Sequence, residues 1–296
     1  MVSSESPPVP AAQDPEQILA WEARHRPRAG IAALAGSLGL FVFYVMQQLL
    51  QRDIPTTSGL ETLQRAVQPG PVGDLPSLQT PFFEYLDTKT LMVILIALGG
   101  LVGFVGVAWT VGFLAVATRS RLPRIRRFVI YVPIIGGVVL GLSVLMSQLG
   151  SLQVVATFLD SRRTVADAVD ADNSMIAYSR LLYQLGTLAL AVGLVIVSLN
   201  AMRAGLLTRM FGYLGIASGA LMVLFPLPIV QIFWLGGLGF ILLGRWPGGV
   251  PPAWRTGAAE PWPTPEPRQR AARPAPEPVV MEKTPQPGRR KRKKRN

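Results

Sequence analysis

Long runs of apolar residues alternate with short polar segments along this chain, and the runs contain no internal charge. About 20 apolar residues at 1.5 Å rise cross the hydrocarbon of a bilayer. On that measure Gly30–Leu50, Thr90–Thr118, Phe128–Gly150 and Leu181–Met202 each read as a transmembrane helix. The second is long enough to tilt or project. A further apolar stretch, Met210–Gly244, is too long for one span and carries Pro226-Leu-Pro228 at its middle. Proline lacks the backbone donor and clashes with the preceding turn. The stretch therefore divides into Met210–Phe225 and Ile229–Gly244, a tight hairpin that either crosses twice or enters and returns. The predicted architecture is an all-α, polytopic transmembrane bundle of about six spans over 30–244. It is flanked by an N-terminal segment, 1–29, and a disordered Pro-rich tail, 245–296.

Between the spans, two segments are long enough to hold structure. Residues 51–88 include Leu60, Leu63 and Val67 at helical spacing, and 151–180 include Val155, Phe158, Leu159 and Val165 on one face of a helix over Leu152–Val169. Both are expected as short helices at the membrane surface. Ahead of the first span, Asp14 followed by Pro15 predicts an N-cap and first helical position for a short helix reaching Trp21.

Charge sets the orientation. With the N-terminus in the cytoplasm, segments 1–29, 119–127, 203–209 and 245–296 carry 3, 5, 2 and 13 of the 29 Lys and Arg residues. Basic residues accumulate on cytoplasmic loops, so both termini are expected inside a cell membrane. The net charge of +12 is concentrated in the tail, which ends in Arg289, Arg290, Lys291, Arg292, Lys293, Lys294 and Arg295. A tethered run of this kind contacts anionic lipid on the cytoplasmic leaflet first, at about 1 kcal/mol per basic residue near the surface. A protein partner, or nucleic acid or ribosome through phosphate contacts, is the other way to use it.

Composition narrows the chemistry. The chain has no cysteine, which removes disulfides, thiolate metal sites and cysteine nucleophiles. Its one histidine, His25, precedes the first span. No span interior holds Asp, Glu, Lys, Arg or His, which argues against proton coupling. Gly215-Ile-Ala-Ser218-Gly219 has a serine but no base for it. Asp167, Asp170 and Asp172 lack the spacing of a calcium loop and read as solvated. Neither cofactor nor metal is expected, and the chain reads as non-enzymatic.

Polar residues inside spans are Gln47, Gln48, Thr110, Ser143, Ser147, Gln148, Ser198, Asn200, Ser218 and Gln231. The commoner use of such residues is hydrogen bonding between helices. The functional use is a polar pathway, and Gln47, Gln48, Gln148 and Gln231, toward the outer span ends, are its candidates. The pairs Gly99/Gly103, Gly137/Gly141 and Gly215/Gly219, with Gly100 and Gly106, mark faces where helices approach closely, within the chain or between chains.

The stretch Ala204-Gly-Leu-Leu-Thr-Arg-Met-Phe-Gly-Tyr-Leu-Gly-Ile-Ala-Ser-Gly219, with Pro226-Leu-Pro-Ile-Val-Gln-Ile-Phe-Trp234 and Gly244-Arg-Trp-Pro247, resembles uncharacterised multi-spanning membrane proteins of actinobacteria. That resemblance covers roughly the second half of the chain. It implies a bacterial inner membrane location and carries no functional residues. Two roles follow from the whole: a scaffold or accessory protein with a lipid- or partner-binding basic tail, or a transporter or channel for a neutral or amphiphilic solute.

Overall fold

The computed structural model describes residues 14–56, 58–67, 71–171, 174–225 and 228–260. The basic run Arg289–Arg295 and the Pro226-Leu227 step lie outside them. Among the described residues ten α-helices follow one another: α1 Pro15–Arg52, α2 Gly59–Ala66, α3 Thr80–Thr88, α4 Thr90–Arg121, α5 Phe128–Leu159, α6 Val165–Asp170, α7 Ser174–Arg203, α8 Arg209–Leu224, α9 Ile229–Leu242 and α10 Ala253–Thr256. Four of them, α1, α4, α5 and α7, are long and apolar enough to cross a membrane. At 30 to 38 residues they measure about 45–57 Å, well beyond the ~30 Å of hydrocarbon.

Six helices close a ring in the order α1, α4, α5, α7, α8, α9, and α9 returns to α1. Chain direction alternates around it. One end of the ring therefore gathers the start of α1, the α4–α5 and α7–α8 turns and α10; with Arg119, Arg121, Arg124, Arg126 and Arg127 it is the basic end. The far end carries α2, α3 and α6.

Glycine seams set how closely these helices approach. A Cβ on Gly106 would stand 2.5 Å from Gly36 Cα, and one on Gly99 would stand 2.9 Å from Gly39 O. Across α5–α7, a Cβ on Gly136 would lie 2.5 Å from Leu190 N, and one on Gly186 would lie 2.9 Å from Leu140 N. Gly137 faces Ala108 of α4 and Gly219 faces Ala191 of α7. The small-residue pairs legible in the sequence thus serve contacts within one chain.

The α8–α9 hairpin differs from two equal spans. Its helices have 16 and 14 residues, about 24 and 21 Å, short of the hydrocarbon thickness. Leu243 lies beside Gly30, and Ser37 Oγ donates to Ile232 O at 2.8 Å. Ile229 is therefore roughly level with Leu40, and α1 continues for about three more turns. On the other side Gly219 meets Ala191, so α8 ends about three turns short of the start of α7. The hairpin rises from the basic end and stops partway. Its tip is little covered: Val223, Leu224, Phe225 and Ile229 are 50–68% exposed.

Helix ends depart from the expected span limits. Asp14 caps α1 and accepts from Glu16 N at 3.1 Å, with Pro15 in the first turn. The helix then passes through Pro27 to Arg52 rather than ending at Trp21. Pro27 removes one backbone donor, and packing holds the turn. Trp21 stacks on Phe113 with ring centroids 5.4 Å apart, and Ile18 and Glu22 are buried. The predicted Leu152–Val169 helix is divided. Its first part is the end of α5, and α6 follows a turn at Arg163, whose φ of 60° is left-handed.

At the far end the two connecting segments fold onto each other. Phe83 of α3 packs on Phe158 of α5 at 4.4 Å between centroids. Ser77 N donates to Arg163 O at 2.8 Å, Val165 N donates to Leu75 O at 2.9 Å, and Arg163 pairs with Glu84 at 2.8 Å. The apolar side of α2, Leu60, Leu63 and Val67, is exposed.

Asp167 is a structured cap, where a solvated loop is the expectation from sequence. Thr164 N donates to its Oδ2 at 2.9 Å, and Asp167 N donates back to Thr164 Oγ1 at 3.2 Å. The backbone N–H of Thr164, and then its hydroxyl, hold this carboxyl below its ordinary value. A depressed folded pKa gives stability that is full above the unfolded value of about 3.9 and is lost as pH falls through the folded value. Amide protection in α6 is therefore expected to drop below about pH 4. Asp167→Asn should lower that protection at pH 7 and flatten its acid dependence in hydrogen exchange. An acid profile unchanged by the substitution would show that the cap does not control α6.

The composition of 245–260 suggests the start of a disordered tail, yet these residues are folded onto the basic end. Trp246 packs edge-on against Phe211 at 4.9 Å, Trp254 is 4% exposed, and Glu260 N donates to Ala204 O at 3.3 Å. Proline-rich composition measures low average burial, and two tryptophans suffice here to anchor the segment. Gly257, at φ 68°, ends α10 in the left-handed conformation that glycine adopts without Cβ strain.

Candidate functional site

The shortness of the hairpin leaves space inside the ring at the far end, and a cavity of about 520 Å³ lies there. Three helices and the hairpin tip wall it. From α1 come Phe43, Tyr44, Gln47, Gln48 and Gln51; from α5 come Ser143, Val144, Ser147 and Gln148. Residues Ser179, Arg180, Tyr183 and Gln184 of α7 and Pro228 of the tip complete it. The volume is that of an ordinary small-molecule site.

Its lower limit is set by Phe43 and Val144, which both approach Gly100. Beneath them Leu40, Phe104 and Leu140 are buried in the apolar core. The cavity is a vestibule: it ends below in packed side chains, and Gln51 and Arg180 on its far-end side are exposed. Gly100 lies ten residues into α4, so the floor is about 15 Å below the start of that helix.

The polar side chains of the wall fall into two groups. Ser143 Oγ donates to Leu140 O and Ser179 Oγ donates to Ile176 O, each at 2.7 Å. Those hydroxyls are committed to their own helices. The amides of Gln47, Gln48, Gln51, Gln148 and Gln184 have no hydrogen-bond partner among the described residues, and neither do the phenols of Tyr44 and Tyr183. An amide offers two donors and two acceptor lone pairs, so the wall can bond hydroxyls, amides or water on many sides. Arg180 adds one guanidinium. The ion pairs among the described residues are Glu22–Arg121 and Glu84–Arg163, so Arg180 has no carboxylate neutralising it, and the cavity wall contains none.

Of the four glutamines singled out from the sequence, the structure brings Gln47, Gln48 and Gln148 together. Gln231 stands apart: it is 6% exposed and its Nε2 donates to Ser218 O at 2.8 Å, tying α9 to α8. Its place near the hairpin tip puts it inside the bundle, below the vestibule. The other intraspan polar residues chiefly bond along their own helices. Thr110 donates to Gly106 O, Asn200 to Ile196 O and Ser218 to Leu214 O, all at 2.8 Å. Sequence reasoning missed Gln51, Arg180 and Gln184 as partners of this set. Gln47 and Gln48 precede Gln51 by four and three residues and so each neighbour it on the helix surface, as Arg180 neighbours Gln184 four residues on. That periodicity was the available signal, and it crosses the assumed span boundaries.

A second polar cluster occupies the basic end. The Arg121 guanidinium makes a two-pronged pair with Glu22; its Nη2 reaches Oε2 at 3.0 Å. Arg121 also donates to Ala117 O at 3.0 Å and Ala253 O at 2.7 Å. Trp254 stacks on Phe113 at 5.9 Å with the rings 3° from parallel, and its Nε1 donates to Leu206 O at 2.9 Å. The guanidinium carbons of Arg26 and Arg121 lie 5.0 and 5.5 Å from its ring centre. Both charged partners are buried, at 2% and 8% exposure. This cluster is a clasp between α1, α4 and the post-bundle segment, with its polar groups largely spent on each other.

A helical ring with four helices of membrane-crossing length and apolarity is consistent with a multi-pass integral membrane protein. No known protein family, curated protein or solved structure matches the chain.

Proposed function

We propose that this chain is a non-enzymatic membrane protein that takes a polar or amphiphilic ligand into its vestibule, as a binding or transport component. The observation that carries this reading is the convergence on one cavity of five glutamine amides, from three helices, that have no partner among the described residues. A pure scaffold needs no such set, since amides gathered on a cavity join no two helices. The packed floor favours a binding site or one state of a carrier over an open channel. In this reading α8–α9 is a re-entrant hairpin, an irregular element that membranes tolerate where it borders a cavity. Both termini face the cytoplasm by the distribution of Lys and Arg, so the vestibule opens outside and its floor lies near the bilayer middle.

The cysteine-free chain allows a direct test. Gln148→Cys in intact cells should react with a membrane-impermeant thiol reagent. Reaction only in inverted vesicles would overturn the orientation. Protein purified from native membranes should retain a small molecule, seen by mass spectrometry, that is lost from the triple variant Gln47→Leu/Gln48→Leu/Gln148→Leu. Identical small-molecule content in parent and variant would sink the ligand reading.

A further inference from the structure

We infer that the vestibule ligand is an anionic amphiphile with a hydroxyl-bearing head, its head in the cavity and its chain along the hairpin tip. This rests on the vestibule reading above and adds the ligand class. Charge comes first. Among the described residues the wall holds one guanidinium and no carboxylate, and nothing among them neutralises Arg180. A guanidinium fork pairs with phosphate or carboxylate through two parallel N–H···O bonds. A cationic head meets no counter-charge in this cavity.

Hydrogen-bonding capacity comes second. Five amides and two phenols, without partners among the described residues, supply donors and acceptors together. Hydroxyl groups, which are also both donor and acceptor, match that mixture. A quaternary ammonium head has no donor and leaves the amides unanswered.

The chain follows from the third observation. Pro228 lines the cavity, and the same tip exposes Val223, Leu224, Phe225 and Ile229. A polar cavity and an uncovered apolar ledge thus adjoin on one short element. A wholly polar solute would use only the first. A ligand joining head to hydrocarbon uses both, its chain lying against the ledge in place of bulk lipid.

The phosphate-and-hydroxyl chemistry could come from a lipid or from a soluble phosphodiester, and titration of the full chain in neutral detergent separates them. The probes are dioctanoyl phosphatidylglycerol, the matching phosphatidylcholine, and deacylated glycerophosphoglycerol, read by native mass spectrometry. Phosphatidylglycerol should bind best. Arg180→Gln should weaken it about tenfold, the scale of one charge-assisted contact, and bring it near phosphatidylcholine. Arg180→Lys should fall between them, because charge is kept while the planar fork is lost. The basic run 289–295 is common to every variant, so the difference between variants reports the cavity. Arg162→Gln, an exposed far-end cation outside the wall, should change nothing. Phe225→Ala should weaken the lipid and leave the deacylated probe unaffected.

Equal affinity for lipid and deacylated head would overturn the amphiphile and make the ligand a soluble anion. Equal affinity for both lipids, or equal binding by parent and R180Q of matched melting temperature, would overturn the anionic class. In either case a small molecule still lost from the triple glutamine variant would leave the vestibule reading intact.

Discussion

Glu22→Ala is expected to destabilise the folded chain by about 3–5 kcal/mol, the scale of removing one partner from a buried ion pair. Glu22 and Arg121 are both buried, and the guanidinium is held by the carboxylate and by the carbonyls of Ala117 and Ala253. Without Glu22, the charge of Arg121 stays buried and its two backbone acceptors cannot neutralise it. Trp254 lies over both arginines and under Leu206 O, so the post-bundle segment should loosen together with the pair. Two measurements check this. Urea unfolding in detergent, followed by tryptophan signal, should show the loss, and limited proteolysis should cut faster at Arg255. Replacing both partners, Glu22→Leu with Arg121→Met, should recover most of the stability, because an apolar pair of similar volume escapes the desolvation penalty. A single variant as stable as the parent would mean that water reaches Arg121.

That clasp was not legible from the sequence, and the reason is physical. Hydropathy reads segments by what a lipid environment tolerates, so it found α1, α4, α5 and α7 within a few residues along their apolar lengths. It cannot see a helix that continues past the hydrocarbon. Glu22 and Arg121 lie in such continuations, 99 residues apart, and were assigned to a lead segment and a loop. Arg180 and Gln51 were obscured by the same boundaries, whereas Gln184 lay inside a predicted span and was passed over. Gln47, Gln48 and Gln148 were legible as a set because three amides near span ends are unusual in apolar surroundings. Gln231 was misplaced with them, since a hairpin that stops partway puts its tip at a depth that sequence position does not report. Depth came from contacts such as Leu243 beside Gly30. The vestibule exists because of that same shortfall.

Gly106→Val is expected to lower stability by about 3 kcal/mol, at the upper end of overpacking effects, and to open the α1–α4 seam. The obstacle is backbone. A Cβ at position 106 would meet Gly36 Cα at 2.5 Å, Ala32 O at 2.8 Å and Gly36 N at 3.0 Å. No side-chain rotation relieves contacts of that kind, so one helix must shift. Gly36 also faces Leu235 of α9, and the displacement should therefore pass to the hairpin that ends beneath the vestibule. Gly141→Ala gives a contrast. Its nearest neighbour would be Leu101 O at 3.3 Å, with the Leu101 side chain next at 3.4 Å, and a shift of a few tenths of an ångström suffices. Its loss should be under about 1 kcal/mol. Melting temperatures in detergent would rank the two. Binding of the proposed vestibule ligand should be weakened by Gly106→Val although that residue is remote from the cavity wall, and should be retained by Gly141→Ala. Equal stability of the two variants would show that α1 and α4 can separate freely, and that the seam does not set the width of the space above the hairpin.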